Sequence, residues 1–361
     1  MANASDASQQ NTSRFCEQGK EGGNTVRPRP APELSILTTH HKQFHPEWVK
    51  RTVLLPGWFE EFSRVNNSYW RSLLWSWRLF RESRRFDAVV TGAEHVGQMF
   101  ALMQSLFRTK SSRRVHVMID FPWAASPNRL TLLLKRMQMW IATRAIDQIF
   151  AHASPEEKER FSEALGVSRE KFCFVPYHYS LNVPEPPVSE GDYIFSGGSC
   201  RDYQTLVRAV AGTPYRTVIC TLQTSYFHGM ELPANVEVVA VNPGRFDELM
   251  AGARAVVVPL PEHDIHTGGH TVIANATKLG KPLIVLGSAE YKSYLEPGKT
   301  GLLLTPGDSE SLRAAIDRVF TEPEFARFLG HNAKEAAAAF SPEIFFERVF
   351  EAVEVAFQAK R

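Results

Sequence analysis

Short apolar runs alternate with helical patterns twice along this chain, and one Pro-rich break separates the two series. In the first series, 52–55, 87–91, 115–119 and 148–151 read as strands, with helical stretches at 68–86, 96–107 and 130–145. The second series places strands at 193–195, 217–221, 236–241, 255–259, 282–286 and 301–304. Helices at 203–211, 245–251, 271–279 and 309–320 fall between them. Strands this short and this uniformly apolar need cover on both faces, and intervening helices supply it, so the pattern predicts two parallel, Rossmann-like α/β sheets. The break at 180–192, SLNVPEPPVSEGD, has no apolar period and reads as a linker. The predicted organisation starts with a disordered tail at 1–34, followed by a first domain at 35–179. A second domain at 193–341 and an amphipathic helix at 342–361, packing back on the first domain, complete it. Ser154-Pro155 predicts a helix start, with Ser as N-cap and Pro at the first position.

A length of 361 residues suits two cores of ordinary size. The 24 Phe and 7 Trp exclude a wholly disordered chain. No stretch approaches the ~20 apolar residues that cross a bilayer. Cys16, Cys173, Cys200 and Cys220 lack metal-ligand spacing, and no secretory leader is visible, so a cytoplasmic protein with free thiols is expected. Charge is uneven: residues 41–140 hold 16 Lys and Arg against 7 Asp and Glu, and every Trp lies before residue 141. Such a front half suits an anionic membrane surface or a phosphorylated substrate. Nucleic acid is not expected, since no helix-turn-helix, zinc-finger, RRM or KH signature occurs. Trp70, Leu73, Leu74, Trp77 and Phe80 share one helical face, with Arg71, Arg78 and Arg85 along its border. That face reads either as an interfacial helix on the cytoplasmic side of a membrane or as an ordinary helix packed on its sheet.

Two glycine turns carry the chemistry. In Ser196-Gly197-Gly198-Ser199-Cys200-Arg201-Asp202 a strand runs through a Gly pair into a helix, where backbone amides approach a phosphate and Arg201 offers a planar fork. In Gly268-Gly269-His270-Thr271 a second Gly pair opens a helix whose first amides have no partner within it. Asn275 follows one turn on, and Gly280-Lys281-Pro282 ends that helix.

Taken in order, SGGSCRDYQTLVRAV, AVVVPLPEHD, GGHTVIANATKLGKPLIV and YLEPGKTGLLLTPGDSESLRAAI resemble the glycosyltransferases of the GT-B fold, especially the large family-4 group. The resemblance covers roughly 193–340 and implies two Rossmann-like domains facing a cleft. It further implies a nucleotide-diphosphate sugar, UDP-linked, as donor substrate, a glycan or lipid-linked acceptor, and no metal or other cofactor. On this matching Gly197, Gly198, Ser199, Arg201, Gly269, His270 and Thr271 face the donor diphosphate. Asn275, with Glu262 and His266 of a polar loop, contacts the donor ribose or sugar. The family's paired Glu residues are replaced here by Thr267 and Asn275. Asp120, at the end of a strand, is the catalytic candidate, to deprotonate or orient the acceptor hydroxyl. Glu94 and His95 are the acceptor-binding candidates. A nucleotide-sugar epimerase and a non-catalytic scaffold relative stay open on the residues alone.

Overall fold

A computed structural model describes residues 34–39, 46–56, 69–92, 95–119, 129–152, 154–181, 189, 191–262 and 268–361. The predicted tail, apart from residue 34, lies outside them. The chain forms two compact units, one running to Val175 and including Glu343–Arg361, the other Pro176–Pro342.

The first unit holds six strands: β1 (Ile36–Thr38), β2 (Thr52–Leu54), β3 (Ala88–Thr91), β4 (Val115–Met118), β5 (Gln148–Ala151) and β6 (Phe172–Phe174). They pair in the order β2-β1-β3-β4-β5-β6, every pair parallel. From β2 onward each connection moves the same way across the sheet. Right-handed crossovers therefore set the helices Tyr69–Glu82, His95–Phe107, Arg129–Ala142 and Glu157–Leu165 on one face. The step from β1 to β2 runs backwards and puts Pro46–Arg51 on the other face. There Trp48 stacks on Phe346 at 4.7 Å, and Phe345 meets Phe150 edge-on. Both Phe residues belong to the helix Pro342–Gln358, which Arg51 also grips through Glu354 at 2.8 Å.

Strands β3 and β4 are buried along their whole length, as central parallel strands must be. His116 is the polar exception in β4. Its ring lies edge-on to Phe100, and Nε2 is 3.0 Å from Thr91 Oγ1. Burial pushes its pKa from 6.5 down to about 3. The folded chain thus keeps this ring neutral while the unfolded chain takes up a proton below about pH 6.5. Stability from this site is complete above pH 6.5 and declines as pH falls toward 3. Urea unfolding between pH 6.5 and 5 is expected to cost the wild type about 1 kcal/mol per pH unit more than His116→Gln. Equal slopes for the two proteins would refute the assignment.

The second unit holds β7 (Tyr193–Gly197), β8 (Arg216–Cys220), β9 (Val236–Val239), β10 (Ala255–Pro259), β11 (Leu283–Leu286) and β12 (Leu302–Leu304). Their order is β12-β11-β10-β7-β8-β9, again all parallel. Alternate strand residues feed two cores. Phe195, Val256, Val258 and Val285 face one side, Ile194, Val257, Ile284 and Leu286 the other. Strand order reverses between β7 and β10, so the crevice beyond their carboxyl ends is where a sheet of this topology binds its ligand.

Local expectations differ from the structure in places. Strands β1 and β6 and the helices Pro46–Arg51 and Pro323–Ala336 are absent from the sequence reading. The helix expected at Ser154 begins at Glu157, capped by Glu156 without a side-chain bond, and Ser154 is buried. The second unit begins at Pro176, earlier than the predicted linker. Tyr177, Tyr179 and Leu181 pack on its core, and Tyr179 N–H donates to Phe340 O. Farther along, buried Lys281 donates to Ser189 O at 2.6 Å and Ala253 O at 2.9 Å, tying the far end of the linker to the same unit. Linker residues 182–188 and 190 lie outside the described residues.

Candidate active site

The turn after β7 is built to hold a guanidinium. Gly197 leaves little room for a side chain, because a Cβ there would meet the Phe246 ring at 2.5 Å and require that ring to shift. Gly198 has φ +108° and Cys200 φ +55°, so the backbone reverses twice within three residues. Bonds to both neighbouring strands strap the turn down: Gly198 N–H donates to Cys220 O, and Asp202 N–H to Pro259 O. Asp202 then caps the helix Tyr203–Val210 by accepting from Thr205 N–H. Tyrosines hold what remains. Tyr203 donates its hydroxyl to Gly198 O at 2.7 Å, and Tyr226 Oη accepts from Cys200 N–H at 2.8 Å.

Arg201 is thereby folded inward, with only 6% of its surface exposed. Its Nη1 donates to Ser199 O at 2.6 Å and Cys200 O at 3.2 Å, while Nε is buried without a hydrogen bond. Burial lowers its pKa, and the nearby Tyr203 and Tyr291 hydroxyls act the other way. A guanidinium stays charged even so. Among the described residues no carboxylate pairs with it.

The second glycine turn lies against the same group. A Cβ at Gly198 would lie 2.9 Å from Arg201 Nη2, one at Gly268 3.5 Å from Nη1, and one at Gly269 3.5 Å from Nη2. Gly269 has φ +87° and opens the helix His270–Lys278. The first bond of that helix is Ile273 N–H to Gly269 O, so the amides of His270, Thr271 and Val272 precede it. Tyr291 fixes the turn from outside by donating to Gly268 O at 2.7 Å, and His270 stacks on Tyr294 at 5.1 Å. Two turns far apart in sequence therefore meet around one cation at the reversal point of the sheet. The three tyrosines that set them, Tyr203, Tyr226 and Tyr291, went unread in the sequence. Tyr226 and Tyr291 reach the turns from 26 and 23 residues away, with no local spacing to mark them, whereas Tyr203 bonds Gly198 only five residues back.

Two predicted contacts need revision. The Gly198 amide is not offered to a phosphate, because Cys220 O already accepts from it. Asn275 is buried, and its Oδ1 accepts from Ser180 N–H at 2.7 Å, which leaves its NH2 as the group for a ligand. Glu262 is exposed in the turn beyond β10, and Ser199 is exposed beside Arg201. In the first unit His95 is exposed at the start of its helix, just after β3. Strand order reverses between β1 and β3, and Gly92 N–H bridges their ends by donating to Thr39 Oγ1 at 3.2 Å. Glu94, Asp120, His266 and Thr267 lie outside the described residues, and Asp120 directly follows Ile119 at the end of β4.

Comparison with known proteins agrees with this fold. Residues 224–336 match the model of the family described as glycosyl transferases group 1. No curated protein matches the sequence. Among solved structures, HepE of Anabaena in complex with UDP-glucose is similar at TM-score 0.69 and 14% identity, over 89% of this chain and 100% of that one. Sucrose-phosphate synthase of Thermosynechococcus elongatus is similar at TM-score 0.64 and 17% identity, over 85% and 84%. A glycosyltransferase of Rickettsia africae follows at TM-score 0.60 and 12% identity, over 89% of each chain. The fold is that of the GT-B enzymes, two Rossmann-like domains in one chain. With a group 1 glycosyl transferase segment in its second unit, the protein is a glycosyltransferase.

Proposed function

We propose that this enzyme moves a sugar from a nucleotide-diphosphate donor, a UDP-sugar, to a glycan or lipid-linked acceptor without a metal ion. One observation carries the reading: a buried guanidinium with no carboxylate partner among the described residues, set between two glycine turns and beside the start of the helix His270–Lys278. A diphosphate is the ligand whose charge and size suit that arrangement. As the glycosidic bond breaks, negative charge builds on the departing phosphate, and fixed donors aimed there lower the barrier. That role is the one a metal ion otherwise fills, which supports a metal-independent reaction. The choice of uridine follows the similar HepE structure, solved with UDP-glucose.

In this reading Gly197, Gly198 and Gly269 keep the pocket free of side chains, and Arg201 with the His270 and Thr271 amides grips the diphosphate. Asn275 offers its NH2 to the ribose, with Glu262 and His266 toward the sugar. Asp120 deprotonates or orients the acceptor hydroxyl, and Glu94 and His95 contact the acceptor. The test is a thermal shift with UDP and GDP, together with nucleotide release from a panel of sugar donors in EDTA. UDP is expected to raise the melting temperature, and a UDP-sugar to be hydrolysed in chelator. No shift and no release from any donor would overturn the reading, and activity lost only on chelation would overturn its metal-free part.

A further inference from the structure

The helix Tyr69–Glu82 has two apolar faces. Trp75, Leu79 and Phe80 point inward together with Ser72 and Ser76, and Ser76 Oγ lies 3.1 Å from Val96 O of the neighbouring helix. Trp70, Leu74 and Trp77 point to solvent, Trp70 with 72% of its surface exposed. Helical spacing groups Phe80 with Trp70, Leu74 and Trp77, but Phe80 is buried, and the small serines let the helix pack closely on its inner side. The helix Arg129–Ala142 repeats the arrangement, exposing Leu130, Leu133, Leu134, Met137 and Trp140, the last by 55%. Between these two lies the helix His95–Phe107, packed against both, which exposes only Leu106 and Phe107 among its large apolar side chains. All three helices share one face of the sheet. A helix on a soluble Rossmann-like domain ordinarily turns a polar face outward, and an apolar surface of this extent marks an interaction site.

Charge identifies the occupant. Segments 69–85, 95–114 and 129–144 contain five, four and four Lys or Arg, against the single carboxylate Glu82. Some of these cations hold helix ends: Arg108 donates to Phe80 O, Arg113 to Ser105 O and Arg114 to Arg84 O. Arg78, Arg81, Arg85 and Lys110 remain exposed, and Arg144 is exposed over the Trp140 ring at 3.9 Å. A second copy of this chain would set cation against cation across a symmetric interface. Nucleic acid would leave the Leu and Met side chains unmatched. An anionic bilayer accepts both features, with Trp and Leu entering the acyl boundary and Arg meeting phosphate. No described helix is long and apolar enough to span a membrane, so the contact is peripheral.

We propose that this three-helix surface docks the enzyme on an anionic membrane. The inference rests on the first unit alone and is independent of the donor-site reading. Cosedimentation with phosphatidylglycerol-containing vesicles is expected to bind the full-length protein, weakening as salt rises. Pure phosphatidylcholine vesicles are expected to bind far less. The double variant Trp70→Ser/Leu74→Ser and the variant Leu133→Ser/Trp140→Ser should each weaken binding at least tenfold. Both should melt like the wild type, since these side chains are exposed, and should keep the thermal response to UDP. Arg78→Glu/Arg81→Glu should weaken binding and flatten its salt dependence. Absence of binding to anionic vesicles, or binding that these variants leave intact, overturns the proposal. Self-association in gel filtration, or binding to nucleic acid, abolished by the same variants without any vesicle binding, overturns it in favour of those occupants.

Discussion

Arg201→Ala is expected to lower donor-sugar turnover by at least a hundredfold, the scale on which loss of one preorganised donor to a developing oxyanion is felt. The cation lies between Gly198, Gly268 and Gly269 with its hydrogen bonds going to the carbonyls of Ser199 and Cys200, so its fork is held before any ligand arrives. Arg201→Lys should recover little, because an ammonium on a flexible stem cannot place two parallel donors where the planar group does. The helix amides at His270 and Thr271 persist in both variants and leave residual activity. The thermal shift with UDP should shrink in parallel, since ground-state binding uses the same cation. Removal of this guanidinium leaves no buried carboxylate unpaired among the described residues, so both variants should fold. A folded Arg201→Ala protein that keeps half of the wild-type turnover would remove Arg201 from the reaction.

What the sequence discloses here follows the range over which each interaction acts. Strands such as β10 and β11 are buried on both faces, so they appear as unbroken apolar runs. Strands β1 and β6, three residues each, are not marked by the pattern, although β2 and β12, equally short, are. Asp202 and Asp308 cap helices through bonds to residues three positions on, a local matter. At Ser154 the same signal fails, because burial claims the side chain. The candidate site divides in the same way. Gly198 and Arg201 are close in sequence and legible as a phosphate turn. That Gly268 and Gly269 share the same cation depends on the strand reversal between β7 and β10. The Asn275 to Ser180 bond joins groups 95 residues apart, and no spacing rule contains it. On the helix Tyr69–Glu82, periodicity marked the apolar residues, but Ser72 and Ser76 among the inward positions hid the division into two faces.

Gly330→Ala should produce a large loss of stability for the addition of a single methyl group. Gly330 lies within the helix Pro323–Ala336, where Ala is intrinsically favoured over Gly by roughly 1 kcal/mol. The contact reverses that sign. A Cβ at Gly330 would lie 2.3 Å from Gly280 O and 3.3 Å from Gly280 C, both backbone atoms, with Pro282 Cδ at 3.6 Å. Gly280 cannot retreat, because its N–H donates to Thr277 O and the next amide, Lys281 N–H, donates to Ala276 O. Its φ of +66° also fixes the turn between the helix His270–Lys278 and β11. Two backbones must then separate, and overpacking of this kind costs about 2 kcal/mol net, or more. Gly166→Ala provides the comparison. Gly166 has φ +67° with nothing within 4 Å of its Cβ position, so strain alone acts there, on the order of 1 kcal/mol. Urea unfolding of the two variants should place Gly330→Ala below Gly166→Ala, and a Gly330→Ala protein as stable as the wild type would show that the two backbones do not meet.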